Sequence, residues 1–166
     1  NNSLGDITAA DLETGLIVWQ LPTQSINILK ETHNFKMSNL VSDSKSVFFS
    51  NTKNEFYSLD VISGTLNWRN EVNSDINPVI IGNLIFSISR EGFLYVIDKN
   101  NGNIIRITDV YSGYRFKKVK EINPIGFAIG NKNLYLTNND GKVFVVDLNF
   151  GNTTKIEKIS GNIISQ

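Results

Sequence analysis

The feature that most constrains the fold is a thirteen-residue pattern that recurs four times without gaps. The copies are "ITAADLETGLIVW" (Ile7–Trp19), "FYSLDVISGTLNW" (Phe56–Trp68), "LYVIDKNNGNIIR" (Leu94–Arg106) and "VFVVDLNFGNTTK" (Val143–Lys155). In each, an Asp (Asp11, Asp60, Asp98, Asp147) is followed four residues later by a Gly (Gly15, Gly64, Gly102, Gly151). Successive aspartates are 49, 38 and 49 residues apart. Periods of about 40–50 residues are those of four-stranded propeller blades.

The register extends upstream. Gly5, Asn54, Gly92 and Gly141 each stand six residues before the repeat Asp. Gly and Asn tolerate the positive φ of a tight hairpin. Three of these turns follow short apolar runs, "SVFFS", "NLIFSIS" and "NLYLT", and each run follows another, around Met37–Val41, Pro78–Ile81 and Pro124–Ile129. A full unit therefore reads strand, turn, strand, turn, strand, Asp-x-x-x-Gly turn, strand. Val, Ile, Phe and Tyr dominate the runs, as in short strands of an all-β fold. Phe48, Phe49, Phe86 and Tyr135 are predicted core. The spacing predicts a half blade over 1–22, blades over about 36–70, 76–109 and 122–158, and a tail over 159–166. Three and a half blades do not close a ring, so either a piece of a longer chain, the favoured expectation, or two or more copies that complete a ring between them is expected. Exposed blade edges predict self-association.

Physical reasons account for the repeated residues. Gly permits the sharp turn between third and fourth strands, and the Asp carboxylate accepts backbone N–H bonds that fix it. Trp19 and Trp68, placed at the start of the fourth strand, offer a flat ring to cover the joint with a neighbouring blade.

With these residues in place, Ala9-x-Asp11-x-x-x-Gly15-x-x-x-Trp19 resembles the tryptophan-docking motif of PQQ-type (quinoprotein-like) propellers. Ser58, Asp60, Gly64 and Trp68 match it with Ser for Ala. The other copies keep Asp98 with Gly102 and Asp147 with Gly151 but carry Arg106 and Lys155 in the Trp column, which implies weaker docking there. The resemblance implies an all-β PQQ-like propeller of about three and a half four-stranded blades.

Two branches of that family differ in function. Quinoprotein dehydrogenases use pyrroloquinoline quinone with Ca²⁺, and their sites resemble a carboxylate cluster with an Asn, often beside a vicinal disulfide. This chain has no Cys, and its acids fall mostly in repeat turns. The nearest linear calcium candidate, Asp98, Asn100 and Asp109, lacks an EF-hand's sixth-position Gly. The segment Ser74–Arg106 is similar instead to a blade of the BamB-like lipoproteins of the bacterial outer-membrane β-barrel assembly machinery. That similarity implies a protein-binding, non-catalytic scaffold without cofactor or metal, in the periplasm and associated with the outer membrane. A dehydrogenase fragment with its cofactor site elsewhere is the alternative, and an unrelated sensor propeller of the same family is a third.

Charge and hydropathy narrow the partners. Lys plus Arg and Asp plus Glu each number 16, so the chain lacks the basic excess of a nucleic-acid binder. It contains no apolar run near 18 residues to span a membrane as a helix. The lone His33, in "KETHNF", cannot build a zinc site without carboxylates and reads as a solvated loop residue. The stretch "YSGYRFKKVKE" (Tyr111–Glu121) lengthens one loop and mixes aromatics with four basic residues, the composition of interface hot spots. It reads as a strand extension with a solvated face, as a partner-contact loop or as a site for an anionic ligand. Tyr114 and Arg115 are the candidate contacts, and Asp75, in the loop entering the third unit, is a weaker one.

Overall fold

In the computed structural model, residues 6–23, 35–114 and 122–159 are described. They hold fourteen strands and no helix. Gly5, His33 and Arg115, singled out above, lie outside the described residues. The chain divides into two compact units, residues 1–75 and 76–166.

In the first unit, β1 (Ile7–Ala10) pairs with β2 (Ile17–Leu21). A second sheet runs in chain order through β3 (Val41–Ser42), β4 (Ser46–Asn51), β5 (Glu55–Asp60) and β6 (Leu66–Asn70). The second unit holds two four-stranded meanders. One is β7 (Val79–Ile81), β8 (Leu84–Ile88), β9 (Phe93–Asp98) and β10 (Ile104–Asp109). The other is β11 (Pro124–Gly130), β12 (Asn133–Asn138), β13 (Lys142–Asp147) and β14 (Asn152–Lys158). All pairings within the sheets are antiparallel.

Burial follows strand position. Second strands such as β4 and β8 are buried along nearly their whole length, on both faces, which is why they read as continuous apolar runs. Fourth strands are mostly exposed and leave Ile17, Leu66, Ile105 and Ile156 open. In the first unit Ile7, Val47, Phe49, Tyr57 and Leu59 form one core, with Trp19 and Leu21 packed against it. On the opposite face of the same sheet, Trp68 stacks on Phe56 at 5.8 Å and meets Phe48 at 6.0 Å. The second unit's core gathers Phe86, Ile88, Leu94, Leu134, Leu136 and Phe144, among others.

Two expectations need correction. Tyr135 is 38% exposed rather than core, because it points to the outer face of β12 while Leu134 and Leu136 point inward. The run around Met37–Val41 yields only the two-residue β3, with Met37 reduced to a single bridge to Asn51. Ser38, buried beside it, uses its backbone and hydroxyl to bond Ser50 and Asn39, and this holds the chain without a longer ladder.

The Asp-x-x-x-Gly turns share one geometry. The glycine N–H donates to the aspartate carbonyl in all four, at 2.8–2.9 Å. Each of Gly15, Gly64, Gly102 and Gly151 has φ between 71° and 78°. Asp11 Oδ1 accepts from the amides of Glu13 and Thr14 and from the Thr14 hydroxyl. Asp60 does the same with Ile62 and Ser63. These bonds hold both carboxyls below the ordinary range, the amides of Thr14 and Ser63 contributing most.

One regularity has no counterpart in the letters. Every third-to-fourth strand pairing shifts register at the same repeat position: Ala9/Ala10, Ser58/Leu59, Ile104/Arg106 and Val145/Val146. Each shift leaves one extra residue, Val18, Asn67, Ile105 or Thr154, just before the Trp column. A bulge bends its strand and re-aims the neighbouring side chain, and here that neighbour is Trp19, Trp68, Arg106 or Lys155.

Gly64 and Gly15 form a controlled pair, because both have φ of +71° but only Gly64 is crowded. A Cβ on Gly64 would stand 2.5 Å from Trp19 Cδ2, whereas one on Gly15 meets nothing within 4 Å. Gly15→Ala is expected to cost about 1–2 kcal/mol for the left-handed backbone. Gly64→Ala should cost about 2–4 kcal/mol, since overpacking adds to it. Urea unfolding of the two variants checks this, and equal losses would show that Trp19 does not depend on that gap.

Candidate functional site

The fourth-strand column is where sheets meet. In the first unit Trp19, the third residue of β2, lies flat over Gly64 and donates its indole N–H to the Val61 carbonyl at 3.2 Å. In the second unit Arg106 fills the same column and does the same task by other means. Its Nη2 donates to the Leu148 carbonyl at 2.6 Å and Nη1 to Asn149 at 3.2 Å. Its side chain would crowd a Cβ on Gly151 at 3.3–3.4 Å. Val61 and Leu148 each follow the repeat Asp, so indole and guanidinium reach the same carbonyl of the repeat. Arg106 therefore docks by a different means from the indole, through a planar fork of donors to two turn carbonyls, while its Nε is buried without a partner. Lys155 makes an ion pair along its own strand with Glu157.

The remaining motif residues serve the frame. Ala9 pairs with Trp19 across the β1–β2 ladder, and Ser58 pairs with Trp68 while its hydroxyl accepts from Asn67 Nδ2 at 3.3 Å. Asp98 Oδ1 accepts from the Asn100 amide, and Asp147 Oδ1 from those of Asn149 and Phe150. Asp109 Oδ1 accepts from the Tyr111 amide at 2.9 Å. Among the described residues, no group of three or more His, Cys, Asp or Glu side chains is placed to hold a metal ion. The structure thus brings Trp19 and Gly64 together but leaves Asp98 and Asp109 in separate turns.

The loop that leaves β10 builds a polar cluster. Residues 110–114 follow β10 as a turn rather than a strand extension, with Gly113 at φ 81°. Tyr111 folds back over Gly92, where a Cβ would stand 2.1 Å from its ring. It packs edge-on against Phe144 at 5.2 Å and donates its O–H to Asn138 Oδ1 at 2.5 Å. Burial, reinforced by the Asp140 and Asp109 charges, pushes the Tyr111 phenol well above its ordinary range. Tyr114, half-buried, meets the same Phe144 at 5.4 Å. Lys142 Nζ donates to Tyr114 Oη at 2.7 Å and to Asp140 Oδ2 at 2.5 Å. Those bonds, the carboxylate first, hold the ammonium above its usual range, so Lys142 is a fixed cation. Phenol, ammonium and carboxylate are thus linked in one hydrogen-bonded chain, with the amine held protonated.

Of the three candidate contacts, Tyr114 belongs to this cluster. Asp75 closes the first unit and pairs with Lys36 at 3.9 Å. Sequence reasoning missed Tyr111, Asn138, Asp140 and Lys142. Repeat alignment places Asn138 and Lys142 in the columns of Asn51 and Glu55, and that swap of charge is the signal that was available.

A family model described as outer membrane protein assembly factor BamB, of PQQ-type repeats, matches residues 1–108. None of the curated proteins compared matches the chain in sequence. Among solved structures, BamB from Moraxella catarrhalis superposes with TM-score 0.71 at 15% identity, covering 96% of this chain and 46% of its own. The Cps50 (Swd1) β-propeller domain of Myceliophteria thermophila superposes with TM-score 0.70 at 13% identity, covering 99% and 52%. The computationally designed Ika4 protein gives TM-score 0.60 at 14% identity, covering 81% and 80%. The chain spans about half the length of the first two. At these identities the likeness shows the fold: a PQQ-like β-propeller segment.

Two measurements follow from the geometry. Arg106→Ala should lower stability by about 1–3 kcal/mol, since two hydrogen bonds to a charged group at a partly buried site are lost. Arg106→Trp should lose less than Arg106→Ala in the same urea titration. The alkaline limb tests the tyrosines: Tyr57 is pushed up to about 12 by burial, and Tyr111 is also raised. Because the fold favours neutral phenols, their stabilisation is complete below the unfolded value of about 10 and fades as pH rises above it. Unfolding free energy should be level from pH 7 to 9 and fall from about pH 10 upward, and Tyr111→Phe should flatten that fall.

Proposed function

The chain belongs to the BamB family of PQQ-type repeat propellers, and from that premise we propose that it is a non-catalytic scaffold that binds another protein. In this reading the parent protein works in the periplasm at the outer membrane, within β-barrel assembly. The family match over residues 1–108 is the observation that carries it. Two features of the chain support it. The turn aspartates each use one carboxylate oxygen, Oδ1, on their own backbone amides, which gives them a role in the frame. The loop after β10 is anchored by Tyr111 and Tyr114 to a rigid sheet, and such loops are where binding residues concentrate.

The test is site-specific crosslinking from position 114, with p-benzoylphenylalanine replacing Tyr114 in outer-membrane extracts. A crosslink to an integral component of the barrel-assembly machinery is expected, and it should disappear when the extract is stripped of that component. Calcium-dependent binding of pyrroloquinoline quinone, read by absorbance, would overturn the scaffold reading and favour a dehydrogenase fragment.

A further inference from the structure

Each docking contact has a receiving side and a giving side, and among the described residues one of each is left open. On the receiving side, three repeat columns are covered in the other sheets. Leu59 and Val146, one residue before the repeat Asp, are fully buried. Val61 and Leu148, one residue after it, pack against the cores of their units. Gly64 is crowded by Trp19, and Gly151 by Arg106 and Thr108. In the β1–β2 sheet the same columns are Ala10, Leu12 and Gly15. Here Ala10 is exposed, Leu12 is 101% exposed, and a Cβ on Gly15 meets nothing within 4 Å.

The giving side shows the same contrast in the last sheet. Phe48 and Phe86, twelve residues before the repeat Asp, are buried. Trp19 and Arg106, eight residues after it, are docked on turn carbonyls. In the β11–β14 sheet these columns are Tyr135 and Lys155. Tyr135 is 38% exposed and the Lys155 side chain 65%. Both pair with Val145 across the ladder, so the three residues share one face. Charge is complementary between the two open sides. The receiving turn carries exposed Asp11 and Glu13 on either side of Leu12, and the giving column carries a lysine. Lys155 has three N–H donors, and Glu157 on its own strand engages it without using them all.

We infer that the open face of the β11–β14 sheet, with Tyr135, Val145 and Lys155, docks on the Ala10, Leu12 and Gly15 face of a second copy of this chain. One chain carries the giving and the receiving side of the same contact at two different places, as head-to-tail association requires. Lys155 lies over Gly15 of the second copy, where its ammonium donates to the Leu12 carbonyl and pairs with Glu13. Tyr135 and Val145 cover Ala10 and Leu12. The inference is independent of the protein-binding reading, because Tyr114 and the loop after β10 take no part in it.

The test is sedimentation equilibrium of the 166-residue chain over a wide range of concentration. Self-association is expected, and Lys155→Glu should weaken it at least about tenfold. Lys155→Trp, which restores the side chain of the Trp19 column, should tighten it by about the same factor. Gly15→Ala should reverse that gain, because its Cβ would meet the docked ring as one on Gly64 would meet Trp19. A second arm does not depend on how those variants fold. The chain has no Cys, so chains carrying Glu13→Cys mixed with chains carrying Lys155→Cys should be joined by a short bis-maleimide, whereas Lys155→Cys alone should not. Three results would each overturn the proposal: a monomer at every concentration, a Lys155→Trp gain that survives Gly15→Ala, or Lys155→Cys joining to itself as readily as to Glu13→Cys. Association only with a chain that carries further repeats would overturn it too, by assigning both faces to those repeats.

Discussion

Within each unit the structure depends on one contact: a fourth-strand side chain, Trp19 in the first and Arg106 in the second, set against the turn glycine of a neighbouring sheet. A short antiparallel sheet of four strands cannot bury its own faces, so it becomes stable only when another sheet covers it. Trp19 over Gly64, and Arg106 together with Thr108 over Gly151, provide that cover. The contact explains why the turn must be glycine twice over. The positive φ excludes most side chains, and at Gly64 and Gly151 the space above Cα is already taken. It also explains the bulge. Without the extra residue at Val18 or Ile105, the docking side chain would keep the pleat of its strand and miss the turn.

Indole and guanidinium are interchangeable here for a physical reason. Each is flat, and each carries N–H donors at its rim, so each can cover a glycine and bond a carbonyl in one placement. The chemistry differs in what surrounds it. Trp19 adds apolar area to a core of Phe49, Tyr57 and Leu59. Arg106 adds two bonds to Leu148 and Asn149 at a half-buried surface, where its charge keeps some water.

Much of the frame was legible in the letters. Asp-x-x-x-Gly spacing revealed the turns, apolar runs revealed the second strands, and glycine or Asn six residues before the Asp located the hairpins. Asn54, Gly92 and Gly141 carry the positive φ that this reading required. Three things were not legible. Tyr135 looked like core because a sequence run does not say which face a strand's alternate residues take when both faces can be covered. Arg106 did not read as a docking group because a pattern defined by Trp does not encode the planarity that Arg shares with it. The bulges were silent because register depends on pairing across two strands, and no single strand records it.

The cluster at Asn138 was hidden for a related reason. Turn aspartates and glycines recur because every sheet has the same docking problem, so the repeat signal describes the frame. Asn51 with Glu55, Ser89 alone and Asn138 with Lys142 occupy one column pair, but only the first two satisfy their own hydrogen bonds. Exchanging the charges of Lys53 and Glu55 into Asp140 and Lys142 leaves the hairpin's shape intact, with Gly141 in place of Asn54 at the turn. The exchange removes one internal bond and, through Lys142, adds a hold on Tyr114. A frame held by docking contacts elsewhere tolerates that loss, because the sheet's pairing from β11 to β14 does not depend on the Asn138 side chain.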